Sequence, residues 1–224
     1  MEQQSRNFNR RYAKEYNWFR TLFYYGVIFF MIIPYMKKHY NFTVTGRENL
    51  PKHKKANKLL FTANHVSELD PPMVSMAVMR PVAYMAKKEL FEEGGVREWL
   101  VKRLGAFAVD RAKPEIATFK TVKAVFNTKD WALGIFPQGG IRKENKIENI
   151  HKGFVMFAKK FKADIIPVAI CGYDGYAKKL FEKHLTMKIG KPISYELPED
   201  EIVKLWVNQI CEFTGQEVGE AYKR

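Results

Sequence analysis

The sequence predicts an α/β protein: a single domain with a mostly parallel or mixed β-sheet flanked by helices, behind an N-terminal helical segment. Three observations lead there. From residue 41 onward, short runs rich in β-branched and aromatic residues alternate with helical patterns. Several of those runs end in polar loops rich in Gly, Pro and charge, the usual setting of strand ends in such folds. Residues 21–36, in contrast, carry no charge at all. The 224 residues suffice for one well-cored domain. The chain therefore divides into a segment 1–40 and an α/β domain 41–224.

Residues 1–20 are polar and basic, with Arg6, Arg10, Arg11, Lys14 and Arg20, and Lys37, Lys38 and His39 follow the apolar run. Aromatic residues crowd residues 16–40. The run of 16 is shorter than the ~20 residues that cross a bilayer, and no small-residue cleavage site follows it. Pro34 is expected to bend or stop the helix. Basic flanks, aromatic edges and a short apolar middle describe a helix in one leaflet or in the interface. A buried core helix would give the same pattern, and a thinned bilayer would admit a full span.

Strands are expected at 42–46, 58–62, 82–86, 107–109, 132–136, 165–170 and 186–189. Helices are expected from Pro71-Pro72 to about Met79, over 94–104, from Pro114 to about Asn127, and over 153–161 and 199–213. In the third of these, Ile116, Phe119, Val122, Val125 and Phe126 share one face. No internal repeat and no low-complexity segment is present.

Composition narrows the partners. A net charge of +14 favours an anionic one: nucleic acid, a membrane surface or an acidic substrate. Nucleic acid is disfavoured, because the aromatics gather in an apolar run rather than interleaving with Lys and Arg. Cys171 and Cys211 match no metal spacing and read as reduced thiols facing the cytoplasm. No metal-ligand cluster is found, and no metal or other cofactor is expected.

Three loops at strand ends stand out: Asn64 to Asp70, Gly105 to Arg111, and Phe136 to Arg142. In the first, His65 suits proton transfer from an alcohol near neutral pH. A carboxylate on its second ring nitrogen, here Asp70, would fix the tautomer and stabilise the imidazolium. Taken alone, the stretch reads more readily as a capping Asp beside a surface His. No G-x-S-x-G surrounds Ser67, so the substrate would bring the nucleophile. Arg111 and Arg142 suit a phosphate bidentately. The amides at Gly139 and Gly140 could line an anion site or oxyanion hole.

These residues resemble the PlsC-type glycerolipid acyltransferases. The first family motif, N-H-x-x-x-x-D, is met in full by Asn64, His65 and Asp70. The second, a Gly with an Arg six residues later, is met by Gly105 and Arg111 in Val109-Asp110-Arg111. The third, F-P-E-G-T-R, is met in part by Phe136-Pro137-Gln138-Gly139-Gly140: Gln138 replaces Glu, Gly140 replaces Thr, and the Arg falls one position later, at Arg142. The fourth, a strand with a central Pro, is met by Ile166-Pro167-Val168, and a K-x-E-L segment by Lys87 to Leu90. The motifs keep family order over about residues 60–170.

The resemblance implies an enzyme that moves a fatty acyl group from acyl-CoA or acyl-carrier protein to 1-acyl-sn-glycerol-3-phosphate, giving phosphatidic acid. His65 would be the base and Asp70 its orienting carboxylate. Asn64, Lys87, Gly105, Arg111, Gln138, Gly139 and Arg142 would form the substrate site. The partners would be membrane phospholipids, lysophosphatidic acid and the acyl donor, with the site facing the cytoplasm. Two alternatives remain open: a different lysophospholipid or lipid acceptor, suggested by Gln138 and Gly140, and a catalytically weak membrane-binding module.

Overall fold

The structure, a computed structural model, describes residues 13–51, 58–92, 94–109, 116–142, 144–172 and 184–219. Its strands are β1 (Asn41–Thr45), β2 (Leu59–Ala63), β3 (Val82–Lys87), β4 (Phe107–Val109), β5 (Ala132–Ile135), β6 (Lys146–Ile147), β7 (Asp164–Cys171), β8 (His184–Ile189) and β9 (Glu217–Val218). Seven of them form one sheet in the order β1-β8-β7-β2-β5-β3-β4. All its neighbours run parallel except the antiparallel pair β7 and β8. β6 and β9 make a separate two-stranded patch, too short to show in the sequence pattern.

The central strands are covered on both faces, so they read as unbroken apolar runs. All five residues of β2 are buried, as are Ile165 to Cys171 of β7. The helices are α1 (Trp18–Val27), α2 (Ile33–His39), α3 (Asp70–Val78), α4 (Gly95–Arg103), α5 (Ile116–Phe126), α6 (Gly153–Phe161) and α7 (Glu199–Thr214). α5, α6 and α7 pack together over β5, β2 and β7, while α3 packs on β3 and β8 beside the N-terminal helix. One helical expectation fails at its first residue: Ile116 is 74% exposed rather than on the buried face of α5.

Pro34 does not stop the N-terminal helix. α1 and α2 are joined by a π-helical turn, Ile28–Ile32, closed by the Ile33 N–H on the Ile28 carbonyl. Widening the helix one turn before Pro34 makes room for a ring that would otherwise meet the carbonyl four residues back. The result is one helix, Trp18–His39, of 22 residues, long and apolar enough to cross a membrane. One side of it, with Tyr24, Val27, Ile28 and Met36, is buried on the domain. The other side leaves Trp18, Phe19, Leu22, Phe29, Phe30, Met31 and Tyr35 exposed. Segment and domain thus share one core, in which Tyr16, Tyr24, Ile28 and Met36 pack with the sheet residues.

Candidate active site

The parallel strands β2, β3, β4 and β5 all end on one edge of the sheet, and the chemistry collects there. Asn64 ends β2. Its Nδ2 donates to the Ile170 carbonyl at 3.1 Å, and its Oδ1 accepts the Ile170 N–H at 2.8 Å. The side chain is buried. Both ends of the amide are therefore used to tie β2 to β7, and Asn64 holds the strand end instead of offering its amide to a substrate.

The next residue is His65, and the loop from Phe136 to Arg142 holds its backbone on both sides. The His65 N–H donates to Gln138 Oε1 at 3.3 Å, and its carbonyl accepts the Arg142 N–H at 2.7 Å. The ring is fixed separately. Asp70, the first residue of α3, is fully buried. Its Oδ2 accepts from His65 Nδ1 at 2.8 Å, from the Val66 N–H at 2.6 Å and from the Ser67 N–H at 2.8 Å. Two loop amides and a helix N-terminus hold the carboxylate in place. With Nδ1 donating to Asp70, Nε2 is left as the basic nitrogen.

Phe136 stacks on the imidazole, with centroids 4.1 Å apart and planes 20° from parallel, and Tyr84 stacks behind Phe136 at 5.5 Å and 16°. Gly134 permits this, because a Cβ there would lie 2.4 Å from the Tyr84 ring. Burial foremost, then the nearby Tyr24 hydroxyl, pushes the Tyr84 phenol well above its ordinary range, so it stays neutral behind the imidazole. The stack is a part of the site that motif reading missed. Phe136 lies inside the third loop, but nothing in the sequence pairs it with Tyr84.

In that third loop the Gly139 N–H donates to the Phe136 carbonyl at 2.9 Å, closing a turn with Pro137 at its second position. That N–H is spent, so the expected oxyanion contact does not come from Gly139. The Gly140 N–H has no internal acceptor among the described residues. Gly139 is required on two counts: its φ is +69°, and a Cβ would stand 2.7 Å from the His151 ring. Two donors of this loop are buried without a partner among the described residues: Gln138 Nε2 and Arg142 Nε. Orphan donors at this depth cost stability unless a ligand oxygen meets them.

Lys87 ends β3 on the same edge, exposed. Gly105 does not join this group. It precedes β4, on the far side of the sheet from His65, where its Cβ would lie 2.4 Å from the Trp131 ring and its carbonyl accepts from the Tyr16 hydroxyl at 3.2 Å. Its place is fixed by that close approach and a φ of +82°, not by a substrate. β4 ends at Val109 on the catalytic edge; Arg111 lies outside the described residues. Among the described residues no three His, Cys, Asp or Glu side chains gather as a metal site would need.

A histidine whose Nε2 is left free by a buried carboxylate on Nδ1, with no nucleophilic side chain bonded to it among the described residues, is an arrangement able to take a proton from an incoming nucleophile during group transfer. The comparisons with known proteins agree. The Acyltransferase family model matches residues 41–171. The 1-acyl-sn-glycerol-3-phosphate acyltransferase of Bacillus subtilis (strain 168) is 30% identical over 152 residues, 67% of this chain and 72% of its own. The protein of the same name from Streptococcus pneumoniae is 30% identical over 135 residues, 60% of this chain and 49% of its own. The crystal structure of the 1-acyl-sn-glycerophosphate (LPA) acyltransferase PlsC from Thermotoga maritima superposes with a TM-score of 0.67 at 21% identity, covering 87% of this chain and 80% of that one. The chain belongs to the acyltransferase family.

Proposed function

We propose that this protein transfers a fatty acyl group from a thioester, acyl-CoA or acyl-carrier protein, to the free hydroxyl of 1-acyl-sn-glycerol-3-phosphate, giving phosphatidic acid. The observation that carries the reading is the His65–Asp70 pair, 2.8 Å apart with Asp70 fully buried. His65 Nε2 takes the hydroxyl proton, and the oxygen attacks the thioester carbonyl. The tetrahedral oxyanion collapses, the C–S bond breaks, and the thiolate leaves with the proton from His65. Gly140 N–H, directly after the turn that holds the His65 backbone, is the donor proposed for the oxyanion. Arg142, Lys87, Arg111 and Gln138 Nε2 are proposed for the acceptor phosphate, and the unpartnered donors at Gln138 and Arg142 support this. The proposed step uses no metal or other cofactor.

The acceptor and the long acyl chain are amphiphiles, so the enzyme should meet them at a membrane. The exposed apolar side of the helix Trp18–His39 supports this, and the names of the relatives agree. Because the domain packs along one side of that helix from Tyr24 to Met36, we favour insertion into one leaflet over a full span. We place the domain and His65 on the cytoplasmic side, which the basic flanks Arg20, Lys37 and Lys38 favour. A second acceptor reading has one observation behind it: Gln138, where the family motif carries Glu, presents an amide donor rather than a second carboxylate oxygen.

The deciding experiment is acyl transfer in detergent–lipid micelles. Labelled long-chain acyl-CoA and acyl-carrier protein are offered to a panel of lysophospholipids. Phosphatidic acid should form with wild type and fall on the order of 10²–10⁴-fold in His65→Ala. A different preferred acceptor would move the assignment to that lipid. No transfer by folded protein to any acceptor would sink the enzyme reading in favour of a binding module.

A further inference from the structure

α4 leaves an apolar row in solvent. Val96 is 80% and Trp99 50% exposed, three residues apart on one helical face, with Arg103 one turn further on. The row is continuous with the N-terminal helix, since the Trp99 ring meets Phe23 of α1 edge-on with centroids 5.7 Å apart. Trp18, Phe19 and Leu22 extend it. Between the start of α1 and the end of α4 lies a cleft of about 560 Å³. Among the described residues, Phe19, Phe23 and Trp99 form its apolar wall, and Lys14, Arg20 and Arg103 line it with the carboxylate of Glu15. Two of these cations are held in place. Arg20 Nη1 donates to the Lys102 carbonyl at 2.7 Å and its Nη2 lies 3.9 Å from Glu15, while the Arg103 guanidinium sits 5.8 Å from the centre of the Trp99 ring.

We propose that this cleft binds the phosphate of an anionic phospholipid of the bilayer, with α4 as a second membrane contact beside the N-terminal helix. The proposal rests on the reading of that helix as membrane-associated. Guanidinium groups suit a phosphate, and a tryptophan between apolar and charged surroundings suits the headgroup level. The apolar rows on both helices place the cleft at the rim of a surface that would face acyl chains, which favours a bilayer lipid over a soluble phosphate. The site is separate from the acyl acceptor's, because the end of α4 lies on the far side of the sheet from His65. The other end of α4 carries Arg97, whose Nη2 is 2.9 Å from Glu68 in the loop between His65 and Asp70. A bilayer under α4 would therefore set the height of the catalytic loop above the lipid.

Flotation of the full chain with vesicles tests this without any turnover, so its outcome is independent of whether the chain acylates lysophosphatidic acid. The vesicles are phosphatidylcholine alone or mixed with phosphatidylglycerol. Wild type should prefer the mixed vesicles. Arg103→Gln should cut binding to them roughly fivefold while leaving binding to phosphatidylcholine unchanged. Trp99→Glu should weaken binding to both. Lys204→Gln, an exposed position on α7, controls for net charge. An equal loss in Lys204→Gln would mean a merely diffuse charge effect, and an unchanged preference in Arg103→Gln would mean no site; either overturns the proposal. So does loss of the preference on adding inorganic phosphate at constant ionic strength, which would make the ligand a free anion.

Discussion

Asp70 Oδ2 accepts three hydrogen bonds at once, so removing it undoes two things. Asp70→Ala frees the His65 ring and leaves the Val66 and Ser67 amides without their acceptor in a buried loop. Activity should fall about as far as in His65→Ala, and the protein should also lose roughly 2–4 kcal/mol by denaturant titration. His65→Ala should cost much less stability, because the carboxylate keeps its amide donors. If the two variants were equally stable, the loop would not depend on Asp70. Gln138→Leu tests the backbone clamp. It removes the acceptor of the His65 N–H, which should cost about 1–3 kcal/mol and lower kcat, while the loss of Nε2 should raise KM for the acceptor. Buried acids, Tyr84 and Cys171 among them, set an alkaline limit. Burial holds the Tyr84 phenol well above its ordinary range and pushes the Cys171 thiol from 9.0 up to about 11. Both are protonated in the folded and unfolded chains at neutral pH. As pH rises past 9 the unfolded chain loses protons that the folded one keeps, so stability falls as pH climbs toward 11. Thermal melts from pH 7 to 11 should show a Tm that is flat at first and then declines, with a shallower decline in Cys171→Ala.

At the scale of elements, the strands and most helices were legible because each carries its own period or unbroken apolar run. β2 to its loop and α6 at residues 153–161 fall where the residues place them. What was not legible depends on partners far along the chain. Gly105 reads as a motif glycine, yet its constraint is the Trp131 ring. Pro34 reads as a stop, yet a π-helical turn absorbs it. Tyr24 reads as one more aromatic of an apolar run, but its hydroxyl donates to Ser75 of α3 and accepts the Val82 N–H at 3.3 Å. Ser75 in turn lies 3.4 Å from the Tyr84 hydroxyl, and Tyr84 stacks on Phe136 against His65. The N-terminal helix thus reaches the catalytic ring through buried side chains. Deleting residues 1–40 should therefore give an unstable or insoluble α/β domain. A deletion that melts cooperatively near the wild-type Tm would show the segment to be a detachable anchor.

At the scale of the molecule, the charge of +14 acts on encounter before any contact forms. It bears differently on the two candidate donors. Acyl-CoA brings a few phosphates, while acyl-carrier protein brings a whole acidic surface, and association between opposite charges is screened once they stand farther apart than about 8 Å at physiological ionic strength. If the carrier protein is the donor that this surface serves, its kcat/KM should fall steeply as salt rises from low to physiological. The value with acyl-CoA should fall less, and kcat should stay nearly level with both, since His65 and Asp70 are shielded from the bulk. Initial rates with both donors across a salt series, at fixed lysophosphatidic acid in zwitterionic micelles, make the comparison. A parallel decline with the two donors would place the salt effect on the shared acceptor and its phosphate site, and the positive surface would then have no part in choosing the donor.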